Sequence, residues 1–244
     1  MPRLLNVHLL PDLCPPESLA GATAVVIDIL RASTTICHAL AAGASKIIPC
    51  LTVEEAHRYQ SQDETILLGG ERGGVKIEGF DLDNSPLAYT REVVAGKTIA
   101  FTTTNGTKAL HRCTQAEEIL IGSFANLTAV VRQLATNSNP VHLVCAGTND
   151  AITGEDVLFA GAVVSQLQNR VPEVILENDS ARIALDFWNS NSKTEQRFRQ
   201  TMLDSQGGRN LQRLGLTHDI ERASERDLFE FVPVWNQSSN AIES

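Results

Sequence analysis

Several short stretches of this 244-residue chain place acids, arginines, hydroxyls and glycines directly after apolar runs. Asp28, Arg31, Ser33, Thr34 and Thr35 follow AVVI, and Glu71, Arg72, Gly73 and Gly74 follow ILLGG. Thr103, Thr104, Asn105 and Gly106 follow IAFT; Gly122 closes EILIG, and Ser123 and Asn126 follow it. Gly147, Thr148, Asn149, Asp150, Thr153, Glu155 and Asp156 follow VHLVCA. Glycine- and hydroxyl-rich strand-to-helix turns present backbone N–H groups to an anion at a helix N-terminus, which is the chemistry of phosphate handling. Arg31 and Arg72 supply bidentate grips. Asp28, Glu155 and Asp156 suit Mg²⁺, a hard ion held by one or two carboxylates while water and substrate oxygens complete its shell.

Each feature also has a structural reading. Thr153 and Asp156 approximate a capping box, and acids in a first helical turn complement the helix dipole. The glycines at 69–74 make turns, Asp81 and Asp83 read better as Asx-turn residues than as metal ligands, and Asn105 can cap a helix. Asp28 is the hardest to dismiss, because an unpaired carboxylate at the end of a buried strand costs several kcal/mol. Arg31 is one available partner. Whether Asp28 acts as ligand, base or nucleophile stays open; Leu30 stands where a haloacid-dehalogenase phosphatase has its second acid, which weakens the covalent version.

Composition narrows the field. With 43% apolar and 20% charged residues, the chain can bury one substantial core and is not disordered. A net charge of -9 without basic, aromatic-interleaved clusters argues against nucleic acid as a partner. The five cysteines form no C-x-x-C pair and fit a reducing compartment. No leader and no apolar run of the roughly 20 residues a membrane helix needs is evident, so the expected location is the cytoplasm, with no membrane partner. No histidine pairs with Ser or Cys in a triad motif. GGERGGVK lacks the Lys-Ser/Thr ending of a P-loop, and no G-x-G-x-x-G occurs.

The elements that must position these residues alternate. Strands are predicted over 4–10, 24–29, 46–50, 65–68, 97–102, 118–122 and 141–145. Helices are predicted over 34–44, 52–60, 106–113, 126–134 and 154–169, with a long functional or mobile loop over 69–86. This pattern implies right-handed βαβ crossovers: a three-layer α/β/α sandwich with a mainly parallel sheet and ligands at the strands' carboxyl ends. One domain over 1–244 is expected, with a helical flank over about 172–228, a final edge strand at 230–235 and a frayed tail at 236–244. The amphipathic flank leaves room for a homodimer face.

The segments VVIDILRASTT, GGERGG, GFDLDNSP, FTTTNGTKAL, GSFANLTAV and CAGTNDAITGEDVLFAG, in this order, closely resemble the 2-phosphosulfolactate phosphatases, the ComB-like family. The resemblance covers some two thirds of the chain and thins after about Val171. It implies a Mg²⁺-dependent phosphatase that converts 2-phospho-3-sulfolactate to 3-sulfolactate and phosphate, a step of coenzyme M synthesis, on a three-layer α/β/α fold. It also singles out Asp28, Arg31, Glu71, Arg72, Asn105, Gly106, Glu155 and Asp156. Within that reading Mg²⁺ is expected on Asp28 with Glu155 or Asp156, water on Glu71, and the small anionic phosphoester on Arg31, Arg72 and the Thr103–Gly106 turn. Two alternatives accompany it: a phosphatase for another small phosphomonoester, and a non-catalytic anion-binding protein on the same scaffold.

Overall fold

The computed structural model describes residues 3–244. The chain opens with β1 (Arg3–His8), two 3-10 turns, β2 (Thr23–Ile27), α1 (Ala32–Ala41), β3 (Lys46–Pro49) and α2 (Val53–Gln62). It continues through β4 (Leu67–Arg72), β5 (Val75–Lys76), α3 (Arg91–Val94), β6 (Thr98–Thr102), α4 (Gly106–Arg112), β7 (Glu118–Gly122) and α5 (Leu127–Thr136). Then come β8 (Val141–Cys145), α6 (Gly154–Arg170) and β9 (Val174–Leu176). The helical flank is α7 (Asp179–Asn191), α8 (Glu195–Asp204), α9 (Gln206–Arg213) and α10 (Thr217–Ala223), and the chain closes with β10 (Val234–Asn236) and β11 (Ala241–Glu243).

All the strands join one mixed, mostly parallel sheet in the order β5-β4-β6-β3-β11-β10-β7-β2-β8-β1-β9, flanked by helices as an α/β sandwich. Burial on both faces explains why the central strands read as unbroken apolar runs. Along β2, Val25 and Ile27 enter a core shared with α5, α6 and the C-terminal helices, while Ala24 and Val26 face α1 and α4. Val26 and Ile121 share that second core with Ile47, Ile99 and Phe101, so the β4-β6-β3 part curves back toward β7-β2-β8. The other face of this part is closed by α2 through Ile48, Leu68, Ala100 and Ala56. Residues after β2, β4, β6 and β8 thereby meet.

The chain's end corrects the expected frayed tail and edge strand. β10 and β11 form an antiparallel hairpin, Trp235 opposite Ile242, which wedges between β7 and β3 in the middle of the sheet. Ile242 is fully buried, and burying it with Trp235 offsets the ordering of a terminal segment. The expected loop over 69–86 is also part strand. β4 runs on through Gly69 and Gly70, because a side chain at 69 would meet the Tyr89 hydroxyl and one at 70 would strike the Thr102 backbone. Gly70 also sits at a positive φ of 139°. β9, within the expected helical flank, pairs in parallel with β1.

A close helix contact is at Gly161, where α6 lies against α7 so that a Cβ would overlap the Ala184 carbonyl. Gly161→Ala is expected to destabilise the protein by about 3 kcal/mol, the upper part of the range for overpacking. Urea unfolding checks this, with a shifted midpoint at an unchanged slope.

Candidate active site

The apolar run of β2 delivers Asp28 to the sheet's carboxyl edge, and the chain turns sharply there. Ser33 N–H donates to the Asp28 carbonyl at 2.8 Å, and Asp28 N–H donates to Ser33 Oγ at 2.9 Å. Asp28 Oδ1 accepts from the Ala32 amide at 3.1 Å, at the start of α1. Burial pushes the Asp28 carboxyl up to about 7; Glu71 and Glu155 nearby add to the rise, while the Ala32 amide and Arg31 oppose it.

A cavity of about 290 Å³ opens over this residue. Its walls carry Asp28 and Arg31 from after β2, Glu71, Gly73 and Gly74 from the β4–β5 turn, Thr104 and Asn105 from after β6, and Thr148 and Asn149 from after β8. Glu71 ties two of these loops together, accepting from Thr104 N at 2.7 Å with Oε1 and from Gly74 N at 2.6 Å with Oε2. Asn105 Oδ1 accepts from Asn149 N at 3.2 Å and joins a third. Gly106, the first residue of α4, is there for space: a Cβ would stand 2.7 Å from Asp28 Oδ2.

Several expected ligand contacts turn out to be framework. Ser33 Oγ donates to Val26 O, Thr34 Oγ1 to Ile29 O at 2.8 Å, and Thr35 Oγ1 to Asn84 O at 2.8 Å. These hydroxyls hold the turn and do not line the cavity. Thr103 Oγ1 accepts from Thr107 N at 3.2 Å and serves the start of α4. Arg72 faces away from the cavity, toward Thr102 Oγ1 at 2.9 Å and the Glu71 carbonyl at 2.8 Å. Neighbouring side chains on a strand point to opposite faces, so Glu71 and Arg72 cannot both enter.

Asp156 is another departure from the expected metal set. Its oxygens accept from Ile29 N at 2.9 Å and Gly147 N at 3.0 Å, stitching the ends of β2 and β8 together, and burial raises its pKa well above the carboxylate range. Asp28, Glu155 and Asp156 do not bring one oxygen each within 4.8 Å of one another. Glu155 differs from its neighbour. It is 1% exposed, and its Oε2 has no hydrogen-bond partner among the described residues. Asn84 Oδ1, on the cavity wall, is likewise buried without a partner. Unsatisfied buried oxygens point to an absent partner, and hard oxygen donors of this kind fit Mg²⁺. Asp28 and Glu155 therefore fit such an ion, whereas Asp156 does not.

The helical flank supplies a wall that the strand-end rule did not reveal. Gly207, Asn210, Leu211, Arg213 and Leu214 of the α9 region close one side of the cavity, and a Cβ at Gly207 would collide with Glu155 Oε1. The available signal was SQGG, a Ser cap followed by a glycine pair: Ser205 Oγ accepts from Gly208 N at 3.0 Å. Arg31 is held from the same flank. Its Nη1 lies 2.7 Å from Asp219 Oδ2, with both side chains buried, and its Nη2 donates to Gly74 O at 2.8 Å.

The family model described as 2-phosphosulpholactate phosphatase matches residues 8–238. The chain belongs to the 2-phosphosulfolactate phosphatase family. A probable 2-phosphosulfolactate phosphatase of Symbiobacterium thermophilum is 41% identical over 91% of this chain and 95% of its own length. One of Thermotoga petrophila is 42% identical over 91% and 92%, and one of Clostridium perfringens is 37% identical over 93% and 92%. Membership makes the chain a phosphoric monoester hydrolase, and the match extends well past Val171 into the flank that closes the cavity. None of the helices among the described residues is long and apolar enough to cross a membrane.

Proposed function

We propose that the chain hydrolyses 2-phospho-3-sulfolactate to 3-sulfolactate and phosphate, as in coenzyme M synthesis, with Mg²⁺ on Asp28 and Glu155. The observation that carries this reading is the placement of two arginines on one small acid-floored cavity. Arg31 stands beside Asp28, and Arg213 stands on the α9 wall. A phosphoester bearing a second strong anion needs two such positions, and a neutral-tailed phosphoester needs only one.

Arg31 is fixed at one nitrogen by Asp219 and at the other by Gly74 O, so the guanidinium presents a pre-set direction to the phosphoryl group. Gly73 N–H and Thr104 belong to the same rim, held there by Glu71. Glu71, with both oxygens committed to backbone amides, is a positioning residue for these donors rather than the water-orienting group the sequence suggested. Hydrolysis joins a water oxygen to phosphorus and breaks the bond to the substrate's C2 oxygen, so one proton must leave the water and one must reach the departing alkoxide. A bound Mg²⁺ supplies charge neutralisation at the phosphoryl oxygens and a lowered pKa for its water.

Steady-state kinetics on a panel of phosphomonoesters, with Mg²⁺ and with EDTA, tests the proposal. The sulfonated phosphoester is expected to give the highest kcat/KM and EDTA to abolish turnover. An equal or better rate on phospholactate or glycerol phosphate would overturn the substrate assignment. Arg213→Gln is expected to lower kcat/KM for 2-phospho-3-sulfolactate by about 10–100-fold, the worth of a charge-assisted hydrogen bond. It should leave turnover of glycerol phosphate nearly unchanged, since that substrate's tail is neutral.

A further inference from the structure

A second constellation lies outside the phosphatase cavity. His8 ends β1, His142 sits near the start of β8, and Cys14 follows the 3-10 turn Pro11–Leu13; all three are buried. One donor atom from each lies within 4.8 Å of the other two. Among the described residues this is the sole set of His, Cys, Asp or Glu that converges in this way. The other cysteines, Cys37, Cys50, Cys113 and Cys145, are buried without such partners.

The tautomers follow from the contacts. His8 Nδ1 is 3.1 Å from Leu13 O, and a carbonyl only accepts, so Nδ1 carries the proton and Nε2 keeps its lone pair. That Nε2 points at His142 Nδ1, 3.0 Å away, with the rings stacked at 5.2 Å between centroids. An imidazole whose distal N–H is fixed on a backbone carbonyl is the arrangement that orients metal-bound histidines. Burial pushes the Cys14 thiol up to about 11, and the Arg112 guanidinium, whose Nε donates to Cys14 O at 2.9 Å, opposes that rise, so the thiolate forms only as an ion takes the proton's place.

We propose that His8 Nε2, His142 Nδ1 and Cys14 Sγ form a site for a soft divalent cation of the zinc class. In tetrahedral zinc, bond lengths of roughly 2.0–2.1 Å to nitrogen and 2.3 Å to sulfur put ligand atoms roughly 3.3–3.6 Å apart. The two nitrogens, 3.0 Å apart, are close to that spacing before any ion enters, and the sulfur lies within 4.8 Å of them. Burial holds both imidazoles neutral, the form that ligates, pushing His142 down to about 4 with help from His8 beside it. On binding, the Cys14 S–H proton leaves to solvent and the sulfur lone pair joins the metal. The His142 proton moves from Nδ1 to Nε2, so one proton is released per ion. The ion would bind β1, β8 and the proline-rich connection into one unit, with a water as the remaining ligand. It has no part in the phosphatase chemistry, because none of the three residues lines that cavity.

Cobalt is the probe. Full-length protein, reduced and stripped with chelator, is titrated with Co²⁺ in excess Mg²⁺, so that the oxygen-donor site is occupied and silent. The expected result is one equivalent of tetrahedral Co²⁺ with a thiolate-to-cobalt charge-transfer band, displaced by Zn²⁺, and one proton released by calorimetry in two buffers. Cys14→Ser should remove the charge-transfer band, and His142→Ala should weaken binding at least tenfold. Mg²⁺-dependent phosphatase activity should survive both changes. Folded wild-type protein that shows no charge-transfer band sinks the proposal, as does a Cys14→Ser protein that keeps it. Should the variants fail to fold, the wild-type spectrum and its proton count decide alone.

Discussion

Asp28→Asn is expected to lower kcat/KM on the phosphoester by on the order of 10³, the loss typical of removing one preorganised charged group from a reaction centre. The substitution is nearly isosteric and keeps the acceptor that the Ala32 amide uses, so the sharp turn after β2 should survive. What disappears is a carboxylate and its proton. The stability consequence has a definite sign. The Asp28 carboxyl is raised from 3.8 to about 7 in the folded chain, so the folded state binds its proton more tightly than the unfolded state does. Its neutral form favours folding fully below the unfolded value, and that contribution is lost as pH rises through about 4 to about 7. The neutral asparagine carries no such dependence. In EDTA, the Tm of Asp28→Asn relative to the unsubstituted protein should therefore climb between pH 4 and pH 8. A Tm difference that stays flat with pH, or a rate within tenfold of the unsubstituted protein, would show that Asp28 is neither strained by its burial nor central to the chemistry.

The parts of this site legible in the sequence are those fixed by short-range rules. β7 and β8 fall on Glu118–Gly122 and Val141–Cys145 as expected, because a strand buried on both faces is an unbroken apolar run ended by turn residues. The residues after β2, β4, β6 and β8 then share one edge. Side-chain direction was less accessible. With 69–74 read as loop, nothing signalled that Glu71 and Arg72 face opposite ways; once Gly69 and Gly70 are seen as packing requirements of a strand, the two-residue period settles it. Long-range partners were the least accessible. Asp156 meets amides of Ile29 and Gly147, and Arg31 meets Asp219, 188 positions away. Amphipathic period shows that α9 and α10 have an apolar side, but not that they lie over the strand ends and carry Gly207 and Arg213 to the cavity. The terminal hairpin was hidden for a related reason: a three-residue strand such as AIE has too little pattern to distinguish from a tail until its partners, Trp235 and Ile47, are in place.

Asp219→Ala is the corresponding test of the flank, and it should cost about 3–5 kcal/mol of stability. The Arg31 and Asp219 side chains are 2% and 3% exposed, so removing the acid strands a guanidinium in the interior, and Ser85 Oγ loses its 2.6 Å acceptor as well. At the entropy of unfolding of a chain of this size, the loss corresponds to a fall in Tm of roughly 10 °C. Replacing both charges, as in Arg31→Met with Asp219→Leu, should recover most of that loss, because the penalty lies in the unpaired charge rather than in the absence of the bond. The double variant should nevertheless remain inactive on the phosphoester, which separates the structural duty of the pair from its duty at the cavity. The Arg199–Glu195 pair, with side chains 62% and 55% exposed, provides the contrast: Arg199→Gln should change stability by less than about 0.5 kcal/mol. If Asp219→Ala unfolds within 1 kcal/mol of the parent in urea, Arg31 has found water or another acceptor. It would then be free to swing, and KM should show it: with the guanidinium no longer aimed, the phosphoester's KM rises even where the fold is intact. Either measurement locates the origin of Arg31's direction, which the local sequence VVIDILRASTT cannot supply and which α10 provides from the far end of the chain.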